Sequence, residues 1–237
     1  MAQPEGKNKI KEFLTGKIIS RLNRHRARII RVLSTNEWDH FKRYFSIKGN
    51  FRRKDFSGEF KRRFCAFYIM NGPRGLNNPQ KKEFFKLLRA KESNLGKILR
   101  VLYKISGYGK KHKLFLSFGT KLLHTVNEAL PIYDKNIAHV LELPVPTFLT
   151  SLTERIENRV SIYRELNYKF KVLLRNPRIK KYLVNMEKEL KERSGLPEFH
   201  KRRGISRTKL LDSSLWALYT VMKKPFSDRV AKSKKWL

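Results

Sequence analysis

Ile105 to Ile137 reads ISGYGKKHKLFLSFGTKLLHTVNEALPIYDKNI. At 100° per residue, Leu114, Phe118, Leu122, Thr125, Val126 and Ala129 fall in one arc, the pattern of a helix seated on a core. Lys121, His124 and Glu128 share one polar border of that arc. The spacing predicts a helix that runs to Pro131, which has no N–H to give and disfavours helical geometry in the residue before it. Asp134 then stands where it can cap a further helix, Asn136 to Leu143. Ahead of the stripe, Gly107-Tyr108-Gly109 marks a tight turn.

The same period of 3.6 holds outward in both directions. Lys9 to Leu33 reads as a basic amphipathic helix with Arg21, Arg24, Arg26, Arg28 and Arg31 between its apolar positions. Thr35-Asn36-Glu37 opens a second helix, and Gly49 to Gly58 reads as a basic loop carrying Arg52, Arg53 and Lys54. Phe51, Phe56 and Phe60 are interleaved with those cations, either as a stacking platform for bases or as core rings. Asn77-Asn78-Pro79 opens the helix Gln80 to Ala90, with Phe84, Phe85, Leu87 and Leu88 inward and Lys81, Lys82, Lys86 and Arg89 outward. Leu95 to Ile105 delivers the chain to Gly107. Leu149 to Leu174, Ile179 to Arg193 and Lys209 to Met222 continue the helical pattern, and Lys201-Arg202-Arg203 forms a basic loop. Alternation with period two is never sustained, so the fold class is all-α, with about nine helices. The expected organisation is a basic N-terminal helix over 1–34, one compact multi-helix domain over 35–222 and a basic tail over 223–237. No stretch approaches the ~18 consecutive apolar residues of a membrane span.

Composition narrows the function. The chain has 237 residues with 55 Lys+Arg against 20 Asp+Glu, a formal charge of +35. Solubility asks for far less charge than this, so a polyanion partner follows. The charge is unevenly placed: residues 122–168 hold 4 basic and 6 acidic groups, whereas the rest of the chain is strongly basic. A phosphate track flanking a less positive pocket gives that pattern, and so does a segment buried in mid-fold. Cys65 is the single cysteine. An internal disulfide is therefore excluded, and a reducing, intracellular compartment (cytoplasm or nucleoid) fits. Set in RRFCAFYI, Cys65 reads as a small buried hydrophobe. Six scattered histidines offer no metal-ligand spacing, and nothing in the chain asks for a cofactor.

Two motifs resemble a known family. Gly107-Tyr108-Gly109 with Lys110 and Lys111 looks like the hairpin of the helix-hairpin-helix DNA glycosylases, and Pro131-Ile132-Tyr133-Asp134-Lys135-Asn136-Ile137 is similar to that family's P-x-D-x-x-V corner. The resemblance covers residues 105–137. It implies a helix-hairpin-helix within the all-α fold, and DNA rather than RNA as partner. Gly107, Gly109 and Lys110 would grip a phosphate, Asp134 would be the catalytic carboxylate, and Lys121 or Lys111 the amine that attacks the sugar in base excision. Arg52, Arg53, Lys54, Lys201, Arg202 and Arg203 would add contacts to the backbone. The alternative is a catalytically silent DNA- or RNA-binding or ribonucleoprotein component, for which the charge alone supplies the partner. Under that reading Lys121 is a solvated border residue and Asp134 a helix cap.

Overall fold

The computed structural model describes residues 5–34, 40–147, 149–194 and 204–223. These contain eleven α-helices and no strand: α1 (Glu5–Arg24), α2 (Arg26–Ser34), α3 (His40–Arg52), α4 (Gly58–Phe67), α5 (Asn78–Arg89), α6 (Leu95–Lys104), α7 (Leu116–Val126), α8 (Lys135–Val140), α9 (Leu152–Arg175), α10 (Pro177–Ser194) and α11 (Arg207–Lys223). The all-α reading holds. The count exceeds the nine expected partly because the N-terminal run is divided at His25, although hydrogen bonds continue on both sides of it (His25 N–H to Arg21 C=O, Ile29 N–H to His25 C=O). The proposed helix start at Thr35-Asn36-Glu37 lies outside the described residues.

The chain forms two compact units, and their boundaries differ from the expected divisions at 34 and 222. One comprises residues 1–38, 135–142 and 169–237; the other comprises residues 39–134 and 143–168. In the first, α11 lies against α8, α2, α1 and α10. Nearly every residue from Thr208 to Val221 is buried as a result. A helix so enclosed must satisfy its polar side chains internally. Lys209 donates to Asp212 Oδ2 at 2.8 Å, both almost fully buried, and Ser214 Oγ donates to Leu210 C=O. Among the described residues, Asp212 Oδ1 has no hydrogen-bond partner. Burial drives the Tyr182 phenol far above its usual pKa.

The second unit carries the residues singled out from sequence. Its core is aromatic: the Phe64 ring meets Phe84 and Phe85 at 5.7 and 5.6 Å, and Phe60 adds a fourth ring. Each buried Phe is worth ~1.5–3 kcal/mol, with ~0.5–1.5 kcal/mol more for a well-placed pair. Those rings hold α4 against α5. α5 begins with a capping box in which Asn77 accepts from Gln80 N–H while the Gln80 side chain accepts from Asn77 N–H. α6 then buries Leu95, Ile98, Leu99 and Leu102. A side chain at Gly119 of α7 would lie 2.9 Å from Leu95 Cδ1. Glycine there lets the two helices flanking the hairpin approach closely.

Three expectations are corrected. Helix α7 ends at Val126 rather than at Pro131, because Asn127 leaves helical geometry and its Oδ1 accepts from Ala129 N–H. The basic loop expected from Gly49 is helical through Arg52. His124 is fully buried instead of lying on a polar border. Its Nδ1–H donates to Leu130 C=O at 2.6 Å, and Nε2 faces the Tyr44 hydroxyl at 3.3 Å. These two partners make an interior position affordable for an imidazole.

Candidate nucleic-acid interface

The segment between α6 and α7 is a rigid finger. Gly107 N–H donates to Lys111 C=O at 3.0 Å and Lys110 N–H to Gly107 C=O at 3.1 Å, closing the turn on itself. Residues outside the turn clamp its base. Gln80, with no exposed surface, donates from Nε2 to Ile105 C=O at 2.9 Å; Asn77 Nδ2 donates to Ser106 C=O at 2.7 Å. On the far side His112 Nδ1–H donates to Tyr103 C=O at 2.6 Å, its ring against that tyrosine. Gly109 sits at φ +64, where glycine alone is unstrained, and Lys110 follows at φ +56.

Gly107 serves the turn itself. A Cβ there would lie 3.0 Å from Lys111 C=O and 3.3 Å from Gln80 Nε2. Its N–H is spent on Lys111. Gly109 is different, because a Cβ there would meet nothing within 4 Å. The side chains of Tyr108, Lys110, Lys111, His112 and Lys113 are exposed.

Lys121 points elsewhere. Its ammonium donates to Tyr68 C=O at 3.0 Å, beyond the end of α4, and lies over the rings of Phe118 (4.9 Å) and Tyr68 (5.6 Å). The corner holding Asp134 is tied down from several directions. Tyr133 N–H donates to Thr120 Oγ1 at 3.0 Å, and the Tyr163 hydroxyl donates to Pro131 C=O at 3.1 Å. Asp134 itself is half-buried. Burial raises the Tyr133 phenol, the Asp134 charge raises it further, and Arg159 opposes both.

The Arg52, Arg53 and Lys54 cluster is partly spent within the fold. Arg52 pairs with Glu128 at 3.1 Å, and the same carboxylate takes the buried Lys48 ammonium at 2.6 Å and faces the Tyr44 hydroxyl at 3.5 Å. Burial lowers the Lys48 pKa while Glu128 pulls it back up. Arg53 bonds Asn50, and Lys54 is exposed. Of the interleaved phenylalanines, Phe60 is a core ring and Phe51 and Phe56 are half-buried; the three stack edge to face in sequence, with the Arg89 guanidinium 5.2 Å from the Phe56 centroid. Lys201, Arg202 and Arg203 lie outside the described residues.

A basic groove of about 530 Å³ opens between α4 and α5. Lys61 and Arg62 line one wall and Lys81, Lys82, Lys86 and Arg89 the other, with Asn71 and Asn78 near one end and no acidic side chain in the lining. Phe85 and Cys65 form the floor, both nearly inaccessible. The Cys65 thiol is pushed up by burial, against the pull of Lys81. That makes it a packing residue and a poor nucleophile at neutral pH. Lys81 is steadied by Asn71 Oδ1 at 2.8 Å.

No family model, curated protein or solved structure matches this chain. Among the described residues no group of three His, Cys, Asp or Glu side chains could hold a metal ion, and no helix is long and apolar enough to cross a membrane. Of the groove cations, Lys81, Lys82, Lys86 and Arg89 were visible in sequence only as outward-facing positions of one helix, and nothing there singled out Lys61 and Arg62. Their spacing within each helix signals a solvated face; the packing of Phe60, Phe64, Phe84 and Phe85 is what turns two faces into one cleft.

Proposed function

We propose that this protein binds nucleic acid without catalysis, gripping the phosphate backbone in the groove between α4 and α5. The observation that carries the reading is six cations converging on one cleft with no carboxylate in its lining, Lys86 alone being ion-paired among the described residues, with Glu83 outside the lining at 3.3 Å, within a chain of charge +35. Like charges crowd together at a cost unless an anion joins them, so such a cleft is a site for polyanions. The floor, Phe85 and Cys65, is nearly inaccessible and offers no open aromatic face, which favours contact with the phosphate backbone. The base-excision reading has less support. It asks for an amine free to attack a sugar near Asp134: of the two candidates, the Lys121 ammonium is held by Tyr68 C=O and two rings, and Lys111 stands exposed on the finger.

The test is a titration of duplex DNA in rising salt, followed by fluorescence anisotropy. Log K should fall linearly with log salt, by ~0.9 per phosphate neutralised. Arg62→Ala with Lys82→Ala removes one exposed cation from each wall and should reduce that slope by about 2. Wild-type affinity that is flat with salt sinks the polyanion reading. A normal slope in the double variant moves the site away from this groove.

A further inference from the structure

The finger at Gly107–Lys113 is an anomaly in energetic terms. Exposed loops are ordinarily mobile, and a large apolar ring on one is a cost in water. Here five hydrogen bonds hold the loop still: two inside the turn, two from Asn77 and Gln80 of the α5 cap, and one from His112. At its tip, held in that frame, stands the Tyr108 ring, 42% exposed, with Lys110, Lys111 and Lys113 beside it. The cost of ordering this segment has been met in advance, which is how a recognition side chain is prepared.

The finger and the groove share a helix end. Asn77 caps α5 and bonds the finger at Ser106, and the next residue, Asn78, lines the groove. The groove wall runs the length of α5 from there to Arg89, about 18 Å at 1.5 Å per residue. A backbone lying in the groove is thus led to the foot of the finger. The groove offers no ring to a base; the finger offers one.

We propose that Tyr108 stacks on an unpaired base, so that the protein engages single-stranded nucleotides at the end of its phosphate track. The proposal rests on the nucleic-acid reading above and adds what the site recognises. Stacking on an aromatic side chain is open to every base and closed to one held inside a duplex stack. The flanking lysines draw in phosphates as the base seats.

The test compares wild type, Tyr108→Ala and Tyr108→Phe on a 15-nucleotide oligothymidine carrying one central 2-aminopurine, on a duplex of the same length and on phosphatidylserine vesicles. Tyr108→Ala should weaken single-strand binding by about 10- to 100-fold and abolish the quenching of 2-aminopurine, with duplex affinity within twofold of wild type. Tyr108→Phe should behave as wild type, since the ring does the stacking. Normal single-strand affinity and quenching in Tyr108→Ala overturn the proposal while leaving the groove reading intact. Equal losses on single strand and duplex also overturn it, since the finger then acts without regard to unpaired bases. So does loss confined to phosphatidylserine vesicles, which would assign the finger to a lipid surface. A wild type that binds neither oligonucleotide brings down both readings.

Discussion

The two irregular segments at either end of α7 use their polar groups in opposite ways. The Gly107–Lys113 finger ties its backbone to itself and to α5, leaving one aromatic ring and four cationic or titratable side chains facing water. The Asn127–Asp134 corner takes bonds from elsewhere in the unit: Tyr163 reaches Pro131 C=O, Thr120 receives Tyr133 N–H, and His124 reaches Leu130 C=O. Ile132 is buried in it. Two motifs of equal prominence in the sequence thus have different physical uses. The finger presents chemistry outward, and the corner holds the unit together.

The largest effect should come from breaking the corner. His124→Ala deletes a fully buried ring, strips Leu130 C=O of the imidazole donor and leaves the Tyr44 hydroxyl with Glu128 but without the imidazole. Loss of both partners and the cavity should cost about 2–4 kcal/mol, read from urea unfolding at constant slope. Oligonucleotide affinity of the folded fraction should not change. A loss under about 1 kcal/mol would mean that the corner is not held from His124, and the contrast between the two segments would fail.

An intermediate effect is expected at the base of the finger. Gln80→Ala removes the donor to Ile105 C=O and half of the α5 capping box. Stability should fall by about 1–2 kcal/mol. Amide exchange in residues 105–112 should quicken well beyond what that global loss explains, because the clamp is local. Unchanged exchange there would show the turn to be held without Gln80.

How much of this was legible beforehand depends on how far each feature reaches along the chain. The α5 start was readable from Asn77-Asn78-Pro79 because capping is a matter of three or four consecutive residues. The turn at Gly107-Tyr108-Gly109 was readable for the same reason, though Gln80, which clamps it, is 25 residues from Ile105. His124 was misplaced because a helical wheel ranks residues by type, and its polarity is neutralised by Tyr44, 80 residues away. The end of α7 was misread because Pro131 is a louder signal than Asn127, whose side-chain turn acts first. The groove was invisible: Lys61 and Lys81 each belong to an ordinary solvated face until aromatic packing opposes them.

The smallest expected effect is the one that bears most directly on catalysis. Asp134 directly precedes α8, a position where Asn and Asp are about equal as caps. Asp134→Asn should therefore shift stability at pH 7 by no more than about 0.5 kcal/mol and leave nucleic-acid affinity unchanged. It should still be detectable at Tyr133, whose phenol is raised first by burial and then by the Asp134 charge. A raised phenol pKa contributes stability that is intact below its unfolded value near 10 and is lost as pH climbs through the folded value. Removing the carboxylate lowers the folded value, leaving less stability to lose. The variant should consequently lose less on going from pH 8 to pH 11 than wild type does, and the Tyr133 ring resonance, followed with labelled tyrosine, should titrate at lower pH. Wild type should release no base from a panel of damaged duplexes. Release by wild type, abolished in Asp134→Asn at unchanged melting temperature, would turn the corner from a structural element into a catalytic one and overturn the binding-only reading.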